Sequence, residues 1–238
     1  MSILKESITL LRKEDMFVNK KAVLTKDLFE CEVSYLKEVF AQAKYPWEIL
    51  PQIKGIVKKV LEEGLPGYHL LKEGVLVGEN VSIAETATII PPAIIGSGTE
   101  IRPGAYLRGN VIVGENCVLG NSSEFKNCIL LYHVQAPHYN YVGDSILGNY
   151  AHMGAGSICS NLKSDGKNIV IHGDEDIETG LRKIGGILAD HADIGCGSVL
   201  NPGTVIGKNT QVYPLSMVRG VVPENSIYKN KDNIVAKR

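Results

Sequence analysis

Stepping by six residues from Val77 meets Ile83, Ile89, Ile95, Ile101, Leu107, Val113, Leu119, Phe125 and Leu131, all of them apolar. At 44% hydrophobic content, ten apolar positions in one register arise by chance in roughly a few cases in ten thousand, and a sustained period marks a repeat architecture. A smaller set runs two residues ahead: Val75, Val81, Ala87, Ala93, Thr99, Ala105, Val111, Cys117, Ser123 and Ile129. The beat returns as Leu188, Ile194, Leu200, Ile206, Val212 and Val218, with Leu147, Met153 and Cys159 as a short phase between the two runs. Two residues at this offset point to the same side of a short strand, and the glycines that follow many of the aliphatics turn the corner. Three hexads close a triangular coil, so about nineteen hexads predict about six coils stacked at ~4.8 Å. The expected fold is mainly β, a parallel β-helix of hexapeptide repeats.

Residues 1–70 lack the beat. KYPWEILPQIKGIVKKVLEEG puts Ile53, Ile56, Val57, Val60 and Leu61 on one helical face, between Pro51 and Gly64. LFECEVSYLKEVFAQAK reads as a second amphipathic helix. Together they predict a helical N-terminal region, residues 1–70, that caps the open first coil. The solenoid is expected over 71–228, with a short tail at 229–238. A net charge of -1 carries no basic excess of the kind nucleic-acid binding needs. No apolar run reaches the ~18 residues of a membrane span. The opening MSILKESITLLRKED has no uninterrupted apolar segment of a secretory leader, so a cytoplasmic location is expected. Cys31, Cys117, Cys128, Cys159 and Cys196 form no CxxC pair and read as small core residues. No glycine-rich nucleotide loop is present.

Three features depart from the beat: APHYNYVGDS (136–145), an insertion from Leu162 to about Lys183, and bulky polar residues in corner slots, including Arg102, Arg108 and Lys126. The first of these displaces His138, and the expectation is that the scaffold breaks there to carry this histidine clear of the prism.

Phe125-Lys126 and PHYNYVGDSILGNYAHMGAGSICSNLKSDGK (137–167) resemble the acetyltransferase domain of the bifunctional N-acetylglucosamine-1-phosphate uridyltransferase/glucosamine-1-phosphate acetyltransferases. PHYNYVGDS and TGLRKIGGIL are similar to the C-terminal β-helix of archaeal-type sugar-phosphate nucleotidylyltransferases. The resemblance covers about residues 75–220 and includes no nucleotidylyltransferase half. It implies a left-handed coil, an acetyl-CoA-dependent N-acetyltransferase acting on an amino-sugar phosphate, and a homotrimer with the site between neighbouring prisms. It makes acetyl-CoA the co-substrate and requires no metal; the partners implied are small molecules, with neither nucleic acid nor membrane. The amine nucleophile must lose a proton, and imidazole titrates in the range that suits this. His138 matches the family's catalytic histidine, Lys126 a phosphate-binding lysine, and Tyr141 and Asn161 residues near the sugar. Lys167, Arg182 and Lys183 in the insertion are the expected contacts for the phosphates of CoA.

Two departures bear on the acceptor. The Arg-Pro-Gly-Ala spelling falls at Arg102, twenty-four residues before Lys126, whereas the residue one coil before Lys126, eighteen positions back, is Arg108. A ligand contacts a face, so register favours Arg108 over Arg102 for the phosphate. His152 stands where the family's motif has an asparagine, at the expected sugar site. Two other classes fit a hexad solenoid. A γ-carbonic-anhydrase-like zinc enzyme would use His133-x4-His138, but needs a third histidine that the upstream hexads lack. A non-catalytic scaffold would leave the basic corners merely solvated.

Overall fold

The computed structural model describes residues 22–237. The opening segment considered above for a leader lies outside the described residues. From residue 75 the chain winds as a parallel β-solenoid with three faces. Face I runs from Val75–Val77 to Val221–Val222, face II from Ser82–Ile83 to Ser226–Asn230, and face III from Thr88–Ile90 to Met217–Val218. The inward residues form one continuous core that includes Val77, Leu107, Phe125, Met153, Ile194 and Val218.

The coils outnumber the six read from the sequence. Eight parallel strands stack on face I, seven on face III and eight on face II, twenty-three in all. The nineteen recognised hexads missed Ala136, Val142, Val222 and Tyr228, which point inward with the rest. They were hidden because the frame slips. Phe125 is followed on the next face by Leu130, and Val142 by Leu147, each step being five residues instead of six. Leu131 and Ile129 therefore point outward, and Leu130 and Cys128 take their inward places. APHYNYVGDS holds the beat from Ala136 to Val142 in the shifted frame and slips only near its end, at Asp144, so the scaffold does break within it but not at His138. Both slips lie at the corner from face III to face I, at Asn127 and Asp144, which adopt φ 48° and 47°. The long insertion leaves the solenoid at this same corner, after Cys159 on face III and before Gly186–Leu188 on face I.

Face I differs from the other two on its outside. Leu76, Ile94, Ile112, Ile129, Ile146, Ile187, Val205 and Val221 lie in register down its outer surface, and all are buried. Each such aliphatic gains about 1.5–3 kcal/mol by leaving water, so the ladder demands a cover. Helix α1 (Thr25–Leu28), helix α2 (Ser34–Gln42) and helix α3 (Ile53–Glu63) supply it, with Ile169 and Ile171 of the insertion. Helix α3 buries Ile53, Val57 and Val60, the stripe expected of its sequence.

The described helices of the N-terminal region thus lie along a flank of the solenoid and not over its open first coil. A hairpin closes each end instead. His69–Lys72 pairs antiparallel with the first strand of face I, and Asn233–Ala236, expected as tail, pairs antiparallel with Ser226–Asn230. Helix α2 also starts at Ser34, later than the sequence pattern suggests. Asp190 anchors the chain just past helix α1: its N–H donates to Leu28 O at 3.2 Å, and Glu30 N–H donates to its Oδ2 at 2.8 Å. Asp190 is itself buried, with Lys208 Nζ at 3.6 Å. Burial raises its carboxyl above the usual range, against the backbone N–H groups of Asn149 and Glu30. Of the cysteines, Cys117, Cys128 and Cys159 are buried, and burial pushes the Cys159 thiol up to about 12; Cys196 is exposed, against the core assignment.

Candidate active site

Among the described residues, face III carries no covering helix. Its outer surface holds two columns: Tyr106, Glu124, Tyr141 and Ile158 in one, Ile90, Arg108, Lys126 and Gly143 in the other. Glu124 pairs with Tyr106 and Phe125 with Leu107, so Lys126 continues opposite Arg108 in the neighbouring coil. Arg108 thus shares this face with Lys126, where the register places it. Arg102 follows Ile101 on face II, two coils before Pro137, and its guanidinium stays with Glu100 at 3.2 Å. The Arg108 guanidinium donates to Glu124, two residues before Lys126.

The corner that slips gathers a polar network. Asp144 is buried, and its carboxylate lies 3.6 Å from Lys126 Nζ. It accepts from Asn127 Nδ2 at 2.9 Å and from Asn161 Nδ2. The same Asn161 nitrogen donates to Tyr141 Oη at 3.2 Å, which leaves the phenol hydrogen and the Asn161 carbonyl oxygen for a ligand. Burial, then the Glu124 and Asp144 carboxylates, raise the Tyr141 phenol, so it stays a neutral donor. Gly143 keeps the space open: a Cβ there would sit 2.9 Å from Asn161 Nδ2 and 2.7 Å from Tyr141 Cζ. This glycine lies within the strand Tyr141–Gly143, and is not the return turn its sequence position suggests.

His138 sits at the other edge of face III, where the strand Gln135–His138 leaves face II. Its side chain is exposed, and among the described residues its ring makes no hydrogen bond, ion pair or aromatic contact. Its backbone is fixed. Its N–H donates to Asn140 Oδ1 at 3.1 Å, and the buried Asn140 amide donates onward to Gly154 O and Ser157 Oγ of the next coil. One network therefore joins Lys126, Asp144, Tyr141 and Asn161, with Arg108 one coil away, and His138 stands at the opposite edge of the same face. His152 lies on the outer surface of face II, one strand beyond Gln135.

Arg182 and Lys183 rim a cleft of ≈ 470 Å³ with Asn127, Asp144 and Leu162, on the Lys126 side of the face. Arg182 Nε donates to Gly166 O at 3.2 Å. Lys167 is exposed and does not line this cleft. His133 and His138 occupy different corners: His133, at φ 56°, precedes the strand and contacts Tyr150, while His138 ends it. The pair does not converge, and among the described residues no group of three His, Cys, Asp or Glu side chains is placed to hold a metal ion. No described helix is long and apolar enough to cross a membrane.

Asp144, Asn127 and Asn140 escaped the sequence reading. Their only local signal was positive-φ chemistry at Asn127 and Asp144, which becomes visible once the frame slip is seen.

By repeat and fold the chain is a hexapeptide-repeat β-solenoid that resembles the acyltransferases of that class. The particular likeness is to the C-terminal domain of GlmU-type proteins. Residues 89–180 match the model of the GMPPB C-terminal domain. The bifunctional protein GlmU of Methanococcus aeolicus is 32% identical over 195 residues, which is 81% of this chain and 47% of that protein. A bifunctional sugar-1-phosphate nucleotidylyltransferase/acetyltransferase of Sulfurisphaera tokodaii is 32% identical over 166 residues, 64% of this chain and 41% of that one. The chain spans about half the length of these curated relatives or less. Among solved structures, perosamine N-acetyltransferase from Caulobacter crescentus aligns at a TM-score of 0.40 with 16% identity, covering 65% of this chain and 54% of that one.

Proposed function

We propose that the protein transfers an acetyl group from acetyl-CoA to the amine of an amino-sugar phosphate, with His138 as general base. The observation that carries this reading is the network of Lys126, Asp144, Asn161 and Tyr141 at face III, in which Lys126, Tyr141 and Asn161 are the residues that the family resemblance singles out. Lys126, with Arg108 one coil away, supplies a cationic seat for the sugar phosphate. Asp144 holds the lysine in place without neutralising every donor on it, since an ammonium has three. Tyr141 and Asn161 offer a hydroxyl donor and a carbonyl acceptor to the sugar. The donor thioester approaches from the insertion side, with Arg182 and Lys183 toward the CoA phosphates. The acceptor lies across face III, with its amine toward His138 at one edge and its phosphate toward Lys126 at the other. Two carboxylate-free corner positions, His138 and Tyr139, remain open for a neighbouring subunit, and we propose a homotrimer in which a second prism faces this edge.

A thiol-release assay with acetyl-CoA across a panel of amino-sugar phosphates tests the reading; silence on every member overturns it. Lys126→Ala is expected to raise the acceptor KM by about tenfold or more, the loss of a charged hydrogen bond, with little change in the KM for acetyl-CoA. Arg108→Ala should do the same and Arg102→Ala should not. The reverse order would restore the motif spelling over the register. Arg182→Ala combined with Lys183→Ala is expected to raise the KM for acetyl-CoA. A rise in the acceptor KM alone would move both cations to the sugar phosphate. Light scattering should give three times the chain's 25.9 kDa, and a concentration-independent monomer contradicts the trimer.

A further inference from the structure

The corner between faces I and II borders a cleft of ≈ 460 Å³ whose lining holds carboxylates and phenols but no Lys, Arg or His. Glu115, Tyr132 and Asn149 stand on one wall, each two residues past the inward aliphatics Val113, Leu130 and Leu147 of three stacked coils. Glu32 and Tyr35, around the start of helix α2, and Tyr68, beyond helix α3, form the other wall. Burial raises the Tyr35 phenol above its usual range, and the Tyr68 phenol and the Glu115 carboxylate add to the shift, so the three lie within electrostatic reach of one another. Tyr68 is raised by burial and next by Glu115, and its hydroxyl is engaged with Ser97. Among the described residues the Tyr35 hydroxyl makes no hydrogen bond and Glu115 has no ion pair. Nor does a cation lie over the rings of Tyr35, Tyr68 or Tyr132 among those residues. The other polar groups are taken. Lys37 Nζ lies 2.7 Å from the Glu32 carboxylate, and Asn149 accepts from Tyr132 N–H at 3.1 Å and donates to Glu30 O at 2.6 Å.

We propose that this cleft binds a primary alkylammonium group, such as the end of a polyamine, with Glu115 as its counter-ion and the rings of Tyr35, Tyr68 and Tyr132 about it. A primary ammonium brings three N–H donors, and the two groups left without partners, the Glu115 carboxylate and the Tyr35 hydroxyl, can both accept. A phenol ring attracts a cation over its face, most strongly where water is excluded. An anion meets two carboxylates here and no basic side chain. A neutral apolar ligand leaves Glu115 and the Tyr35 hydroxyl unpaired against it. An ammonium seated in the cleft ties the helical cover to three coils at once, so it stabilises the folded chain in proportion to its occupancy. The cleft is at the corner between faces I and II, away from Lys126 and Tyr141 of face III, and the proposal is independent of the acetyl-transfer reading.

Calorimetric titration of the full chain with butylammonium at constant ionic strength tests it, with 1-butanol and tetramethylammonium as comparisons. Saturable binding of butylammonium is expected, with butanol silent and tetramethylammonium, which has no N–H to give, weaker by about tenfold. Glu115→Gln should weaken butylammonium binding by about tenfold or more, and Tyr35→Phe by severalfold. Without ligand, Glu115→Gln should melt with the wild type, since it removes a group that has no ion pair, and butylammonium should raise the melting temperature of the wild type more than that of the variant. Absence of saturable butylammonium binding overturns the inference. Equal binding of butanol overturns it by making the cleft merely apolar, and equal binding of tetramethylammonium by removing the hydrogen-bonded seat. Undiminished butylammonium binding to both variants overturns it by placing the ligand elsewhere. Each of these outcomes leaves acetyl transfer where it stands.

Discussion

His138→Ala is expected to lower the turnover number by about 10²–10⁴-fold, roughly 3–5 kcal/mol of transition-state stabilisation, with the KM for acetyl-CoA near the wild-type value. In the proposed reaction the amine must shed a proton as it attacks the thioester carbonyl, and no other exposed imidazole stands at this edge of face III. His138 is well placed for the task. Its backbone is tied by Asn140 to the following coil, while its ring is free of competing bonds within the described chain. Full release assays over several acceptors, with acetyl-CoA binding by calorimetry, separate chemistry from binding. Near wild-type turnover on the best acceptor would remove His138 from the mechanism. A parallel loss of acetyl-CoA binding would make it a structural residue.

Gly120→Ala is expected to be nearly as damaging, by a different route. Gly120 follows Leu119 on face II, and Leu119 pairs with Ala136 in the next coil. A Cβ built on Gly120 would fall on the backbone carbonyl and Cα of Pro137, atoms that cannot swing aside as a flexible side chain can. Overpacking of this kind costs about 1–3 kcal/mol and sometimes more. At about 2–4 °C per kcal/mol for a chain of this size, the melting temperature should fall by about 2–12 °C. The atoms displaced are those immediately before His138, so turnover should fall as well; a shift of about 1 Å in a catalytic group can lose 10²-fold. Thermal unfolding and turnover of the variant check both parts. An unchanged melting temperature would show that the two coils are not so closely stacked, and unchanged turnover that His138 does not depend on this stacking.

The catalytic candidate and the irregular corner turned out to be separate things. In the sequence, His138 sits inside the apparent break, and the break invites an explanation in terms of the histidine. In the structure, Ala136 and Val142 keep the beat on either side of it, and His138 occupies an ordinary corner between faces II and III. The irregularity belongs to Lys126, Asn127, Asp144 and Asn161 at the opposite edge. A frame slip of one residue is easy to misplace because aliphatic residues neighbour each other here. Ile129, Leu130 and Leu131 are all apolar and all buried, two of them against the outer cover. Periodicity alone could not say which one pointed inward.

Spacing by itself determined the solenoid, because a six-residue repeat of large and small apolar residues has only one way to bury both. It also determined that Arg108 and Lys126 share a face, since residues one coil apart must stack. Tertiary structure decided what the repeat leaves open. An outer row such as Leu76, Ile94 and Ile112 is adjacent in space but eighteen residues apart in the chain, and it shows as a demand for cover only when the coils are stacked. That demand draws the N-terminal helices to the flank of face I, where the sequence pointed to the open end. The pairs Lys126–Asp144 and His152–Asp193 are likewise contacts between coils, at separations set by the corner slips and the insertion. Hydrogen-bond geometry of that kind is specified by stacking, which no single stretch of sequence contains.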